Sequence, residues 1–120
     1  DRDPESLPRI DVITEALTDD EYVAQFHRAD AFVLPTRGEG WGLPVMEAMA
    51  AGIPAIVTNH SGVTDFAVDG TAVLVPPEAI VDVGDDAANV YEHTRGMQWA
   101  KPSLGGFVDA MRHVANGVAN

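Results

Sequence analysis

The sequence predicts an α/β fold in which helices cover both faces of a parallel β-sheet. Two observations carry this prediction. Between residues 10 and 75, short apolar runs alternate with amphipathic stretches, and glycine or proline separates many of them. This alternation is typical of βαβ units, in which a helix connects neighbouring parallel strands. The chain has 120 residues, 46% of them hydrophobic, which is enough for one buried core, so we expect a single domain over residues 1–120.

The first two elements are a strand at residues 10–13 and an amphipathic helix. Thr18 and Glu21 have the spacing of a capping box, in which the Thr18 hydroxyl accepts from the Glu21 amide and the Glu21 carboxylate reaches back. The helix is therefore expected to begin at Asp19. Its apolar positions share one face, which should pack on the sheet: Tyr22, Val23, Phe26 and Ala29.

A buried strand and a second helix follow. The continuous apolar run at residues 31–34, closed by Pro35, predicts an interior strand that is covered on both faces. Pro44 suits the first position of a helix, because its missing amide hydrogen would be unpaired there, and Gly52 ends that helix. Two further strands with a short helix between them are expected before the paired prolines: strands at 55–57 and 72–75, and a helix around 61–67.

After the paired prolines we expect an irregular excursion at about residues 78–100 and then a final helix. Two short strands are predicted in the excursion, at 79–81 and around 96–99, joined by a loop at 84–86. Ser103 is expected to cap the final helix. That helix carries an apolar stripe at helical spacing: Leu104, Phe107, Val108, Met111 and Val114.

Composition excludes several classes of function. A formal charge of −12 makes nucleic acid an unsuitable partner, and the absence of cysteine excludes disulfide scaffolds and thiolate metal sites. No apolar run approaches the roughly 20 residues that span a bilayer, so no transmembrane segment is expected. The expected location is the cytoplasm, with peripheral membrane association and the oligomeric state left open. No metal site is predicted, because the acidic pairs 19–20 and 85–86 lack a partner ligand nearby and the four histidines show no ligand spacing.

Residues 37–47 are the most informative segment for function. They lie between a predicted strand and a predicted helix, at the edge of the sheet where open α/β folds bind ligands. Three glycines in five positions let the backbone approach a ligand, and free amides at the helix start, those of Val45 and Met46 among them, point to the same place. Glu39 in the loop and Glu47 in the first helical turn flank this anion site. A nucleotide sugar has matching parts: a diphosphate for the amides, and ribose and hexose hydroxyls for the carboxylates.

The same segment resembles a known family. EGWGLPVME at residues 39–47 closely resembles the E-x7-E motif of retaining glycosyltransferases of the GT4 type. The resemblance covers about residues 10–77, including the loop HSGVTDF at 60–66, with a looser match at 99–112. Asp65 stands where the family more usually has glutamate. The resemblance implies the GT-B architecture, two Rossmann-like domains facing across a cleft, of which this chain would be the C-terminal, donor-binding one.

The resemblance also implies roles for individual residues. The donor would be a nucleotide-diphosphate sugar such as GDP-mannose or UDP-glucose, transferred with retention and without a bound metal or a cofactor. Glu39 would touch the hexose hydroxyls as the catalytic residue, and Glu47 would bind the ribose hydroxyls. The amides from Gly40 to Leu43 would hold the sugar and the distal phosphate, and Thr36 would line the pocket. The implied donor-binding set is Thr36, Glu39, Gly40, Trp41, Gly42, Leu43 and Glu47.

The sequence departs from the family pattern at its start. The family draws an arginine and a lysine for the leaving diphosphate from elements upstream of the position matching Ile10, whereas this sequence begins at Asp1. We therefore expect a piece of a longer enzyme, truncated at its N-terminus, that works with the acceptor-binding N-terminal domain of the same parent chain. Without the basic pair, this piece alone is expected to be inactive.

Other interpretations of these residues stay open. The chain could be a non-catalytic glycosyltransferase-like module that binds a nucleotide sugar or a protein partner. A phosphorylase is disfavoured, because those enzymes carry a pyridoxal phosphate lysine and Lys101, the sole lysine, has no suitable context. Trp41 either stacks on the ligand or plugs the base of the loop. Met46 and Met49 are expected in the core, and Arg37 at the rim of the site.

Overall fold

A three-stranded parallel sheet forms the centre of the chain, in a computed structural model that describes residues 8–84 and 92–118. The strands are β1 (Phe32–Leu34), β2 (Ala55–Thr58) and β3 (Val73–Val75), and they lie in the order β1-β2-β3. Ile56 of β2 is in register with Val33 on one side and with Val73 on the other. β2 is therefore the central strand, and all of its residues are buried.

Helices flank this sheet in the described part of the chain. α1 (Asp19–Arg28) precedes β1, α2 (Leu43–Ala50) joins β1 to β2, and a 3₁₀ helix (Ser61–Asp65) lies between β2 and β3. Beyond β3, a second sheet consists of the antiparallel strands β4 (Ala79–Asp82) and β5 (Gln98–Lys101), with a 3₁₀ helix (Glu92–Thr94) before β5. The last helix is α3 (Leu104–Val118).

Both faces of the parallel sheet are covered, because successive side chains of a strand point to opposite faces. On one face, Val57 packs with Val45 of α2 and Val63 of the 3₁₀ helix. On the other face, Ile56 packs with Phe107 of α3. The predicted α/β fold class, a Rossmann-like parallel sheet with helices on both faces, is confirmed.

Two helix starts have the capping contacts that the sequence predicts. The Glu21 amide donates to Thr18 Oγ1 at 3.3 Å, and the Thr18 amide donates to Glu21 Oε2 at 2.9 Å, which completes the capping box of α1. These hydrogen bonds, first the one from the Thr18 backbone, lower the pKa of Glu21 because they stabilise its ionised form. At the start of α3, the Gly106 amide donates to Ser103 Oγ at 3.1 Å.

Two strand predictions are wrong. Residues 10–13 form no strand, and Ile10 and Val12 are 79% and 77% exposed, because no described strand pairs with them. Among the described strands, β1 lies at an edge of the sheet rather than in its interior, since it pairs only with β2. An apolar run indicates that the two faces of a strand are covered, but it carries no information about neighbours in the hydrogen-bonding direction.

The buried stripes of the helices are narrower than predicted, because the sheet beneath them has three strands. In α1, Phe26 is buried, whereas Tyr22 and Val23 are partly exposed. α2 starts at Leu43, one residue before Pro44. In α3 the buried residues are Phe107, Ala110 and Val114, and the exposed members of the predicted stripe are Leu104, Val108 and Met111.

The predicted excursion forms β4 and β5, which confirms both of its short strands. It contacts the loop after β1, where the Ala100 amide donates to the Arg37 carbonyl oxygen at 2.8 Å. The Arg37 guanidinium also lies 4.8 Å from the centre of the Trp99 ring. In the predicted connecting loop, Asp85 and Asp86 lie outside the described residues.

The assignment of residues 1–120 to a single domain stays a prediction. Among the described helices, none is both long enough and apolar enough to cross a bilayer.

Candidate functional site

The segment after β1 and the loop after β2 meet at the carboxyl edge of the parallel sheet. They come together because β1 and β2 are parallel neighbours, so their carboxyl ends lie side by side. The first segment carries Glu39 and leads into α2, and the second carries Ser61 and leads into the 3₁₀ helix. The topology therefore places most of the predicted site residues at one edge.

Glu39 is held from two sides. The Thr36 hydroxyl donates to Glu39 Oε1 at 2.9 Å and accepts from the Gly38 amide at 3.2 Å. The Glu39 amide donates to Ser61 Oγ at 2.8 Å, so its backbone is tied to the loop after β2. Glu39 is half-buried, and no described residue donates to its Oε2 atom. Thr36 thus orients the carboxylate of Glu39 and leaves one of its oxygens available.

The Ser61–Gly62 peptide closes over the glycine-rich loop. Gly62 lies against the backbone of Glu39 and Gly40: its amide donates to the Glu39 carbonyl oxygen at 3.2 Å, and a Cβ atom on Gly62 would overlap the Gly40 carbonyl oxygen. Ser61 adopts a left-handed backbone conformation with φ of 63°, which is uncommon for a residue other than glycine. Sequence analysis missed this contact, and the one local signal was a glycine in the second loop.

The amide donors of the site are those of residues 40–43. They make no hydrogen bond to another described residue. The prediction that Val45 and Met46 have free amides is wrong, because both donate to the Gly42 carbonyl oxygen, at 3.0 and 3.3 Å. Gly42 can take this place because its φ of 91° bends the chain into the helix. Four consecutive peptide groups before and at the start of α2 can therefore receive an anion.

Trp41 is anchored on one side and open on the other. Its indole nitrogen donates to the Met46 sulfur at 2.8 Å, and its ring centre lies 5.4 Å from that of Phe66. The side chain of Trp41 nevertheless remains 45% exposed beside the glycine-rich loop. Met46 is 40% exposed, so its prediction as a core residue is wrong, whereas Met49 packs against the core of the sheet.

Glu47 lies on the side of α2 that faces α1. It is the fifth residue of α2, past the first turn in which it was predicted. Its Oε2 atom accepts a hydrogen bond of 2.7 Å from the Tyr22 hydroxyl, and no described residue donates to Oε1. This hydrogen bond is the largest cause of a raised pKa of Tyr22, with burial and the charge of Glu47 adding to it. Sequence analysis placed Tyr22 in the core, and nothing in the pattern indicated its polar partner.

A groove of about 320 Å³ runs between α1 and α2. Apolar side chains of α1, those of Val23 and Phe26, line it together with Ala50 of α2. Its polar lining residues are His27 and the Tyr22–Glu47 pair. A larger concavity, about 590 Å³, lies at the amino ends of β2 and β3, and it holds none of the predicted site residues. The carboxyl edge, with its aligned donors and acceptors, is therefore the better candidate, and the groove between α1 and α2 adjoins it at Glu47.

Other polar side chains near this edge differ in their surroundings. Arg37 stacks on Trp99, Asp65 is exposed at the end of the 3₁₀ helix, and His60 is half-buried. The hydroxyl of Thr58, at the end of β2, is buried and has no hydrogen-bond partner among the described residues. In residues 8–84 and 92–118, no three histidine or carboxylate side chains are grouped so that they could hold a metal ion.

A sequence profile described as "Glycosyl transferases group 1" matches residues 11–95, more than two thirds of the chain. The chain belongs to this glycosyltransferase family. The matched region contains the parallel sheet, the glycine-rich loop, both carboxylates and Tyr22. The structure agrees, since a parallel sheet flanked by helices is what a Rossmann-like group 1 domain requires.

Several curated glycosyltransferases and synthases are similar to this chain over 73–79 residues. A glycogen synthase of Mycobacterium tuberculosis is 34% identical over 79 residues, which are 65% of this chain and 19% of the relative. Sucrose synthase 1 of Hordeum vulgare is 38% identical over 79 residues, which are 63% of this chain and 10% of the relative. A D-inositol 3-phosphate glycosyltransferase of Paenarthrobacter aurescens is 34% identical over 73 residues, which are 60% of this chain and 18% of the relative. The chain thus spans less than a fifth of the length of these relatives.

Proposed function

We propose that this chain is the donor-binding part of a retaining hexosyltransferase of the GT4 type. The parent enzyme moves a hexose from a nucleotide-diphosphate sugar, such as GDP-mannose or UDP-glucose, to an acceptor. The single observation that carries the proposal is the row of four amides at residues 40–43, which donate to no described residue. They lie between two carboxylates, Glu39 and Glu47, and each carboxylate keeps one oxygen to which no described residue donates.

The amides of residues 40–43 suit the distal phosphate of the donor. A chain with a formal charge of −12 attracts no phosphate by its net charge, so an anion has to be held by local donors. Peptide amides at the start of a helix provide such donors, and the helix dipole adds a partial positive charge there. This arrangement binds a diphosphate without a lysine in the loop.

The two carboxylates suit the hydroxyl groups at the two ends of the donor. Glu39 accepts from the hexose, and its charge favours the positive character that the anomeric carbon gains in the transition state of glycosyl transfer. Thr36 holds one oxygen of Glu39 and leaves Oε2 for the sugar. Glu47 accepts from the ribose at the mouth of the groove between α1 and α2.

Transfer itself requires groups outside this chain. The leaving diphosphate needs cationic partners, and the guanidinium of Arg37 is directed to Trp99. We propose that basic groups and the acceptor site come from the N-terminal domain and upstream elements of the parent protein, so that this chain binds the donor without transferring the hexose. The donor is a substrate, and no cofactor is required.

The test is a titration of this chain with GDP, UDP and their mannose and glucose conjugates, followed by amide chemical shifts. We expect perturbations centred on residues 40–47, with one base preferred. Glu47→Gln should abolish most of the response, whereas the control Asp109→Asn, an exposed carboxylate on α3, should leave it intact. Absence of any response up to several millimolar, in this chain and in one extended upstream, would contradict the proposal.

A further inference from the structure

The hydrogen bond between Tyr22 and Glu47 connects two helices across the mouth of a groove. The hydroxyl of Tyr22 in α1 lies 2.7 Å from Oε2 of Glu47 in α2. The two residues are 25 positions apart in sequence, so neither helix dictates the contact by itself. Tyr22 is 37% exposed, which leaves the pair open to a ligand entering the groove.

The ring of Tyr22 is fixed by aromatic packing. It meets Phe26, one turn further along α1, edge to face, with ring centres 5.1 Å apart and planes at 90°. Phe26 is buried and in turn lies 5.9 Å from the ring of Phe32 in β1. The phenol oxygen is therefore placed relative to the sheet through successive contacts of three rings.

Glu47 is the partner whose side chain has more rotatable bonds to order. A glutamate side chain has three rotatable bonds, and ordering such a side chain on binding reduces affinity. Tyr22 occupies one acceptor position on Oε2 and leaves Oε1, together with the second lone pair of Oε2, for other donors. A carboxylate that is already oriented can accept from two neighbouring hydroxyl groups without first losing that freedom.

We propose that Tyr22 is a positioning residue that orients the carboxylate of Glu47 to accept from the ribose diol of the donor. The inference rests on the proposed function, since it needs a nucleotide in the groove. It assigns to Tyr22 a role in discriminating ribose from deoxyribose, which comes from its hydroxyl group and not from its ring.

The experiment compares Tyr22→Phe with the unaltered chain, using UDP and GDP and their 2′,3′-dideoxy counterparts as probes. Phenylalanine keeps the ring stack with Phe26 and removes the hydroxyl. We expect Tyr22→Phe to weaken ribonucleotide binding about fivefold to tenfold, in line with one lost hydrogen bond, and to leave dideoxynucleotide binding unchanged. In a Glu47→Gln background, Tyr22→Phe should add no further loss for the ribonucleotide.

Each other outcome has a defined meaning. An equal loss for both kinds of nucleotide would assign Tyr22 to packing alone and overturn the inference. Unchanged or tighter ribonucleotide binding by Tyr22→Phe would overturn it as well, since the phenol would then be idle or would compete with the ribose. If the unaltered chain, alone and extended upstream, binds neither UDP nor GDP, the proposed function fails together with the inference, and that titration identifies this case.

Discussion

The two carboxylates of the glycine-rich segment are held by different kinds of contact. Glu39 lies in a loop, where its side chain accepts from Thr36, three residues away, and its backbone is tied to Ser61. Glu47 lies on a regular helix, and the partner of its side chain is Tyr22, on another helix. The orientation of Glu39 therefore depends on how two loops pack, and that of Glu47 depends on how two helices pack. Substitutions can disturb each region separately.

The largest effect is expected from Gly62→Ala, which disrupts the contact between the loop after β2 and the glycine-rich loop. A Cβ atom there would overlap the carbonyl oxygen of Gly40, so backbone has to move, and we expect a loss of about 1–3 kcal/mol in the free energy of unfolding. Gly40→Ala is the matched control, because a Cβ atom at Gly40 meets nothing within 4 Å. Urea denaturation of both variants checks this. Equal destabilisation by the two substitutions would contradict the contact.

The second prediction separates the two carboxylates by ligand. Glu47→Gln should weaken binding of nucleoside diphosphates and of their sugar conjugates about tenfold or more, because a charge-assisted hydrogen bond to the shared ribose is lost. Glu39→Gln should leave the nucleoside diphosphate unaffected and weaken only its sugar conjugate. Calorimetric titration of each variant with UDP and UDP-glucose, or with GDP and GDP-mannose, measures the split. The assignment is wrong if Glu39→Gln weakens both ligands equally.

The third prediction concerns the N-terminal cap of α1, the helix that carries Tyr22. Thr18→Ala removes the contacts of the Thr18 hydroxyl at the start of α1 and should reduce the free energy of unfolding by about 1 kcal/mol, the usual effect of a lost N-cap side chain. It should also raise the pKa of Glu21 in part, because the hydrogen bond from the Thr18 hydroxyl is lost while the larger cause of the lowered pKa, the hydrogen bond from the Thr18 amide, remains. Because the pKa of Glu21 is lowered in the folded state, its ionised carboxylate stabilises the fold at neutral pH. This stabilisation is lost as the pH falls through the folded-state pKa. Thermal unfolding at neutral and acidic pH tests both effects, and Thr71→Ala, in a surface turn outside α1, is the comparison variant.

The smallest effect is a pH dependence from Tyr22. Its pKa is raised from the usual 10.0, chiefly by the hydrogen bond to Glu47, so the folded state holds the proton more tightly than the unfolded state. This contribution to stability is complete below the unfolded pKa and is lost as pH rises through the folded one. NMR titration of the Tyr22 ring should show the raised pKa, and Glu47→Gln should bring it back toward the ordinary value. A pKa that does not respond to Glu47→Gln would disprove the hydrogen bond.

Much of the fold could be predicted because its signals are local. The capping box at Thr18 and Glu21, the cap at Ser103 and the buried run at 55–57 each depend on residues within a few positions of one another. The two short strands of the excursion were recognisable for the same reason. The edge position of β1 was not, since strand order depends on which distant segments pair.

The candidate site shows the same difference between local contacts, which could be predicted, and long-range contacts, which could not. The sequence by itself determined that Glu39 and the amides of residues 40–43 lie between β1 and the start of α2 at the carboxyl edge, and that Glu47 follows on the same helix, because spacing along the chain sets which groups lie near one another. Only the tertiary structure showed three further contacts. The Gly42 carbonyl oxygen accepts from the amides of Val45 and Met46. Gly62 packs against the backbone of Gly40, and the Tyr22 hydroxyl donates to Glu47. The physical reason is range: local spacing specifies hydrogen bonds within a turn, whereas a contact across 25 residues exists only once both elements have packed on the sheet.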